Sequence, residues 1–217
     1  MLVREASAIT GGLSNPGKMP GTAYNTSAQD CQVGTRLRDV KGSVCDGCYA
    51  MKGRYLFPTV QAALQRRLDA LDHPQWVDAM VLLISRQTVP WFRWHDSGDL
   101  QSIKHLQRIV EVINRTPDIA HWLPTREYKL VTDYRRAGGV IPANVVIRLS
   151  AHMVDGPPPE AYGLPTSTVV TDGSHTCPAS TQGNNCGDCR DCWNPLVKNV
   201  SYLSLIHISE PTRLGMI

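Results

Sequence analysis

The sequence predicts an α/β protein: a parallel sheet of repeated βα units, open or partly closed like a barrel, with Cys-rich metal-binding loops at both ends of the chain. Three observations predict it. Short apolar runs that read as strands alternate with amphipathic helical stripes. Polar residues follow four successive strand tips, and all seven cysteines fall into two groups, one before the alternation and one after it. Alternation at this spacing implies right-handed crossovers, which set parallel strands side by side with helices on at least one face.

Residues 1 to 30 are rich in Gly, Ser, Asn and Pro and read as an approach loop with one short strand at Leu2 to Ile9. After Tyr55, the stripe Val60, Leu64, Leu68 and Leu71 predicts a helix, and a second begins at Pro74 with Trp76, Met80, Leu83 and Ile84 on one face. Trp91 to His95 reads as a buried strand ending in a tight turn. The next helix carries Ile103, Leu106, Val110 and Ile113, and Thr116-Pro117 ends it before a strand at Ile119 to Leu123. The unit then repeats: a helix near Arg126 to Ala137, a stop at Gly138-Gly139, a strand at Val145 to Leu149 and a fourth at Thr168 to Val170. The strand tips carry Asp96, Ser97 and Asp99, then Thr125 and Glu127, then Ser150 and His152, then Asp172. The carboxyl edge of a parallel sheet is where such folds place their sites, although βα turns are polar in any case.

At 217 residues, 42% of them hydrophobic, the chain has material for one main core, assigned to residues 1–202 with a Cys-rich segment at 173–202. Its 22 basic residues are interleaved with 19 acidic ones, a balance that neither argues for nucleic acid nor excludes it. The N-terminus lacks the pattern of a secretory leader. The longest apolar run, Ala79 to Ile84, is far below the roughly 18 residues of a membrane span, so a soluble, cytoplasmic protein with no membrane partner is expected.

Seven cysteines clustered around C-x2-C knuckles suit metal rather than disulfides in a reducing compartment. Cys31, Cys45 and Cys48 offer three ligands, which leaves one position of a metal site open for chemistry; a distant His completing a zinc loop is the structural alternative. Cys177, Cys186, Cys189 and Cys192 contain the C-x2-C-x2-C run typical of four-iron clusters, with zinc again the alternative. Four ligands close that second site, so its role is structural or electron-relaying. The four sulfurs are expected to surround one centre.

Other residues have two readings each. Asp99 precedes a helix expected to start near Leu100, where Asp is a favoured N-cap. His95 and Asp96 form a metal pair or, in the blander reading, His95 is a hydrogen-bonded core residue. Trp91, Trp94 and Trp122 read as core. Glu127 suits the start of a helix, with Arg126 solvated or meeting a carboxylate or phosphate. Arg148, inside an apolar strand, is expected to pair with an acid.

The strings W-H-D-S-G-D-L, C-D-G-C-Y-A-M-K-G-R-Y, W-L-P-T-R-E, V-I-R-L-S-A and C-G-D-C-R-D-C-W resemble the phage protein family named gene product 88, over nearly all of residues 10 to 202. That family name carries no activity, but it implies host-cell cytoplasm. The C-x2-C-Y-A loop followed by strand units is also similar to the radical S-adenosylmethionine superfamily, whose members hold a cluster with three Cys and bind the cofactor at the open iron. This resemblance implies Cys31, Cys45 and Cys48 as cluster ligands. Ser97-Gly98-Asp99 resembles the superfamily's Gly-Gly-Glu motif, and Glu127 and Ser150 join it as candidate cofactor contacts at neighbouring strand tips. The pattern departs from the superfamily's C-x3-C-x2-C: thirteen residues separate Cys31 from Cys45, and Gly47 stands where an aromatic residue is common. A longer loop still delivers a ligand, because closure cost grows slowly with length.

The functional expectation is an iron–sulfur enzyme of radical type with an unknown substrate and an electron donor as partner. The alternative is a non-catalytic zinc protein whose α/β domain binds a host factor or nucleic acid. The three thiols are expected to converge at the carboxyl edge, facing the Ser97-Gly98-Asp99 turn. Finally, Leu203 to Arg213 back-translates codon for codon onto a transposase-adapter sequence of short-read DNA libraries. Residues 203–217 therefore read as adapter read-through, expected to pack poorly, with no role for His207 or Glu210.

Overall fold

The structure, a computed structural model, describes residues 1–204. Its frame is a six-stranded sheet in the order β1-β2-β3-β4-β5-β6, with every neighbouring pair parallel. The strands are β1 (Thr22–Tyr24), β2 (Trp91–Trp94), β3 (Ala120–Thr125), β4 (Val145–Val154), β5 (Thr166–Val170) and β6 (Asn199–Leu203). The helices are α1 (Val3–Thr10), α2 (Gln32–Arg38), α3 (Pro58–Asp69), α4 (Trp76–Ser85), α5 (Ile103–Asn114) and α6 (Tyr128–Arg136). The helices α4, α5 and α6 of the first three crossovers all pack on one side of the sheet. Doubly wound sheets instead reverse direction at a switch point.

The helix-covered face follows from strand alternation. Phe92 and Trp94, Leu123, and Val145, Ile147 and Leu149 all join one core with α4, α5 and α6 side chains such as Met80, Ile84, Leu106, Ile109 and Val131. The residues between them, Arg93, Trp122, Arg148 and Ser150, therefore point to the other face. Among the described residues no long helix covers that face. The Cys-rich segment does so instead, with Trp193 lying edge-on to Trp91 and Trp122 and donating its indole N–H to the Phe92 carbonyl at 2.9 Å.

Four expectations are corrected. Leu2 to Ile9 is helix α1, not a strand: the Glu5 carboxylate accepts the Leu2 N–H at 2.8 Å, and Ala6 packs against Ala79 and Leu83 of α4. The helix after Asp99 starts at Ile103, not Leu100, and Ser102 caps it by accepting the His105 N–H at 3.0 Å. The βα repetition stops at β4. The β4–β5 and β5–β6 connections hold only short 3₁₀ turns, Glu160–Tyr162 in the first and Pro178–Thr181 and Asp191–Trp193 in the second. β4 runs five residues past its predicted end because its tail pairs with the first cysteine loop: Val44 N–H donates to the His152 carbonyl at 2.9 Å and Val154 N–H to that of Gly42 at 3.0 Å.

β1 and β6 are strands beyond the four expected. β1 is only three residues long in a Gly-rich stretch, yet Tyr24 is fully buried there, its hydroxyl donating to the Thr10 and Arg67 carbonyls at 2.7 and 2.9 Å. Leu203 ends β6, and the buried Ser204 donates its N–H to the Val170 carbonyl at 2.8 Å. The rest of the predicted read-through stretch, 205–217, lies outside the described residues. Among the described residues no helix is long and apolar enough to cross a membrane.

Two core histidines are expected to make the fold acid-sensitive. His121 Nδ1 accepts from the Trp94 indole at 3.3 Å, and His105 Nδ1 accepts the Gln101 N–H at 3.3 Å, so protonating either nitrogen would set two donors face to face. Burial lowers His105 to about 4 and His121 to about 3. An unfolded His titrates near 6.5, so the stability these neutral rings contribute is complete above that pH and lost as pH falls towards their folded values. Each is expected to cost about 2 kcal/mol at pH 5 relative to neutral pH. Urea midpoints at pH 7 and pH 5 measure the loss, and equal midpoints in both His→Gln variants and the parent would assign it elsewhere.

Candidate metal centre

The first cysteine group is built by two elements, the start of α2 and a turn. Cys31 immediately precedes α2, and Cys45 and Cys48 lie on a turn in which the Cys48 N–H donates to the Cys45 carbonyl at 3.2 Å. Ser43 sets that turn, accepting the Cys45 and Asp46 N–H groups at 3.2 and 3.0 Å. Gly34, one turn into α2, leaves the space between them open. A Cβ there would sit 2.9 Å from the Cys31 Cβ, 3.6 Å from its sulfur and 3.7 Å from that of Cys45, so both sulfurs face the same point. Burial, then the nearby Asp99 carboxylate and the other thiols, push Cys31 above the usual thiol range. Burial also raises Cys45, opposed by the Arg126 guanidinium.

The Ser97-Gly98-Asp99 turn abuts this group. Gly98 has φ +77° and a Cβ there would lie 2.0 Å from Thr26 Oγ1, so only glycine permits the close approach of the β1 and β2 turns. Ser97 Oγ donates to the Thr26 carbonyl at 3.0 Å, and its own carbonyl accepts the Thr26 N–H at 3.1 Å. Asp99 is not a helix cap. Its carboxylate, buried between strand tips, accepts the Leu100 N–H at 2.8 Å, the Arg126 N–H at 2.9 Å and the Thr125 hydroxyl, locking the β2 and β3 tips together. All three partners are donors, and an amide must turn its NH2 toward one of them. Asp99→Asn is therefore expected to destabilise the chain by about 1–3 kcal/mol, read from the urea midpoint. An unchanged midpoint would show the carboxylate to be dispensable as a lock.

Glu127, placed by its sequence at the start of α6, reaches away from that helix. Its Oε1 accepts the Val33 N–H at 2.7 Å and holds the first turn of α2 behind Cys31. Ser150 Oγ accepts from Ser167 Oγ at 3.0 Å. Of the five candidate cofactor contacts, Ser97, Gly98, Asp99 and Ser150 line a cavity of about 410 Å³ at the carboxyl edge, whereas Glu127 does not.

The second group closes the same cavity from β6. Cys177, Cys186 and Cys192 line it together with Cys31, Cys45 and Cys48. Cys189 is not part of the wall, but its charge acts on both Cys177 and Cys186. Backbone bonds pin this segment: Cys177 N–H to the Ser201 carbonyl and Cys186 N–H to that of Lys18, both 2.9 Å. Arg148 does the rest. The expected acid partner is replaced by main-chain carbonyls: the fully buried guanidinium donates to Thr166 at 2.8 Å, Val197 at 3.1 Å, Asp191 at 3.0 Å and Asn194 at 3.3 Å. All seven cysteines are free. Among the described residues, no three His, Cys, Asp or Glu side chains are arranged to hold a metal ion.

Between the two groups lies Arg93, which the sequence reading did not single out. It pairs with Asp96 at 2.9 Å and lies 4.3 Å over the Trp122 ring, so Trp122 is a platform on the cavity wall as well as a buried residue. A lone charge inside the aromatic run W-F-R-W was the available signal. His95, expected to be hydrogen-bonded, is buried at φ +56° and neither ring nitrogen has a partner among the described residues. Asp96 is engaged by Arg93 and by the Tyr55 hydroxyl at 2.8 Å.

Nothing among curated proteins or solved structures matches this chain. A family model does: residues 5–195 match the one described as gene product 88. A match over that span, on a chain of 217 residues, carries the whole sheet up to the last strand and both cysteine groups, and the protein belongs to the gene product 88 family.

Proposed function

We propose that this protein is an iron–sulfur enzyme of the radical S-adenosylmethionine type, acting on a small substrate held between two four-iron clusters. The observation that carries the reading is that both cysteine groups open onto one cavity at the carboxyl edge of a singly wound parallel sheet. Cys31, Cys45 and Cys48 would hold the first cluster and leave one iron for the cofactor, and Cys177, Cys186, Cys189 and Cys192 would hold the second. The fit rests on the donor set and on Gly34, whose missing side chain leaves room where two sulfurs face one point.

When bound, the first cluster supplies the electron that cleaves the cofactor. The chain's own residues do the positioning. Asp99 locks the β2 and β3 tips beside the first group, Glu127 holds the turn behind Cys31, and Arg38 and Arg126 offset thiolate charge. Arg93, fixed by Asp96 and Trp122, presents a cation between the two groups. The reaction calls for a reducing cytoplasm and an external electron donor.

Anaerobic purification with metal and cofactor-binding assays tests this. Brown protein with about eight irons per chain that binds S-adenosylmethionine is the expected result. Colourless protein carrying about two zinc ions, one per cysteine group, would overturn it in favour of a structural zinc protein.

A further inference from the structure

The walls of the cavity are short of acceptors. Arg93 Nε, Trp122 Nε1 and Arg126 Nε are buried without a hydrogen-bond partner among the described residues, all three residues line the cavity, and all three nitrogens can only donate. Charge points the same way. Lys18, Arg38, Arg93 and Arg126 line the cavity against two carboxylates, and both carboxylates are engaged. Asp96 is taken by Arg93 at 2.9 Å and by the Tyr55 hydroxyl at 2.8 Å, and Asp99 by the N–H groups and hydroxyl that lock the strand tips. Among the described residues Lys18, Arg38 and Arg126 form no ion pair. Arg38 donates to the Ala28 carbonyl and the Thr35 hydroxyl, both neutral, whereas the Arg126 side chain has no hydrogen bond to any described residue.

An unpaired guanidinium in a partly buried wall is costly unless a ligand supplies the acceptor. A carboxylate or phosphate does so best, through two parallel charge-assisted bonds. The rest of the wall offers apolar contact from Pro124, Ala151, Val154, Val169 and the Trp122 ring, and a volume of about 410 Å³ suits a small organic molecule rather than a bare ion. We infer that the cavity binds a small organic acid, an apolar body carrying one carboxylate or phosphate group, with Arg126 as the residue that takes the anion. This names a substrate class for the cavity of the proposed function. It rests on side chains other than the cysteines and holds whether or not the thiols carry metal.

Isothermal titration of the full chain as purified, with benzoate, phenyl phosphate and the neutral isostere benzamide, tests it. At least one anion is expected to bind about tenfold or more tighter than benzamide and to weaken as sodium chloride rises. Benzoate against phenyl phosphate decides which head group the site takes. Arg126→Gln is expected to lose about tenfold in anion affinity, with Arg126→Lys in between, and to keep the parent's urea midpoint, because the side chain it replaces is unbonded. The benzamide comparison and the salt dependence are read on the parent, which keeps the inference testable if the variant folds poorly. No binding of either anion, benzamide binding as tightly as both, or Arg126→Gln binding like the parent would overturn it. An iron-free chain that still binds the anions would remove the cluster reading alone, whereas an iron-bearing chain that does not bind them would remove this inference alone.

Discussion

Cys45→Ser is expected to cost the protein about half its iron and all detectable cofactor cleavage, with the second centre's spectrum left intact. Cys45 is the most buried of the seven cysteines, at 7% exposure, and its sulfur faces the same gap at Gly34 as that of Cys31. A serine hydroxyl fills nearly the same volume but is a hard, weakly acidic donor that does not replace thiolate at an iron–sulfur corner. Two remaining thiols do not retain a cluster that needs three. Loss of fold is separable from loss of iron, because a buried unsatisfied hydroxyl costs about 1–3 kcal/mol and leaves the chain folded by circular dichroism. Iron content equal to the parent's would refute the assignment of the first group.

Arg148→Met has the largest expected effect on stability, about 3 kcal/mol or more. Replacing a buried ion pair by apolar residues is often harmless, because both polar partners leave together. Here the partners are main-chain carbonyls of Thr166, Asp191, Asn194 and Val197, which stay behind when the guanidinium goes. Each carbonyl left buried without a donor carries its own desolvation cost. Three of the four lie between Cys189 and β6, so the variant is also expected to release iron from the second centre before the first. Urea denaturation and iron analysis of the same samples measure both, and a variant as stable as the parent would show that water replaces the guanidinium.

The stretch from β2 to β4 was legible because its signals are local. Aromatic and β-branched runs bounded by Asp-Ser-Gly-Asp, Thr-Pro and Gly-Gly punctuation announce strands and helix ends without reference to the rest of the chain. α1 was misread because its eight residues span barely two helical turns and lead straight into a Gly-, Ser-, Asn- and Pro-rich stretch that reads as loop. What decides for helix is the Glu5 cap and the close approach that Ala6 allows to Ala79 and Leu83 of α4, a neighbour some seventy residues away. The β1 strand escaped for a similar reason: three residues carry no periodicity, and pairing with β2 creates the strand.

By itself the sequence determined that this is an α/β protein with seven thiols in two groups and polar strand tips on one edge. Composition and spacing along the chain suffice for those statements. Only the tertiary structure decided which partners the charged residues take: Asp99 as a lock between strand tips, Glu127 as the anchor of α2, Arg148 as the clasp of the second cysteine segment and Arg93 between the two groups. It also brought cysteines some 130 residues apart onto one cavity. The physical reason is that burial turns every unsatisfied donor and acceptor into a cost. Which group satisfies it depends on what the fold places within about 3 Å, a distance on which separation along the chain has no bearing.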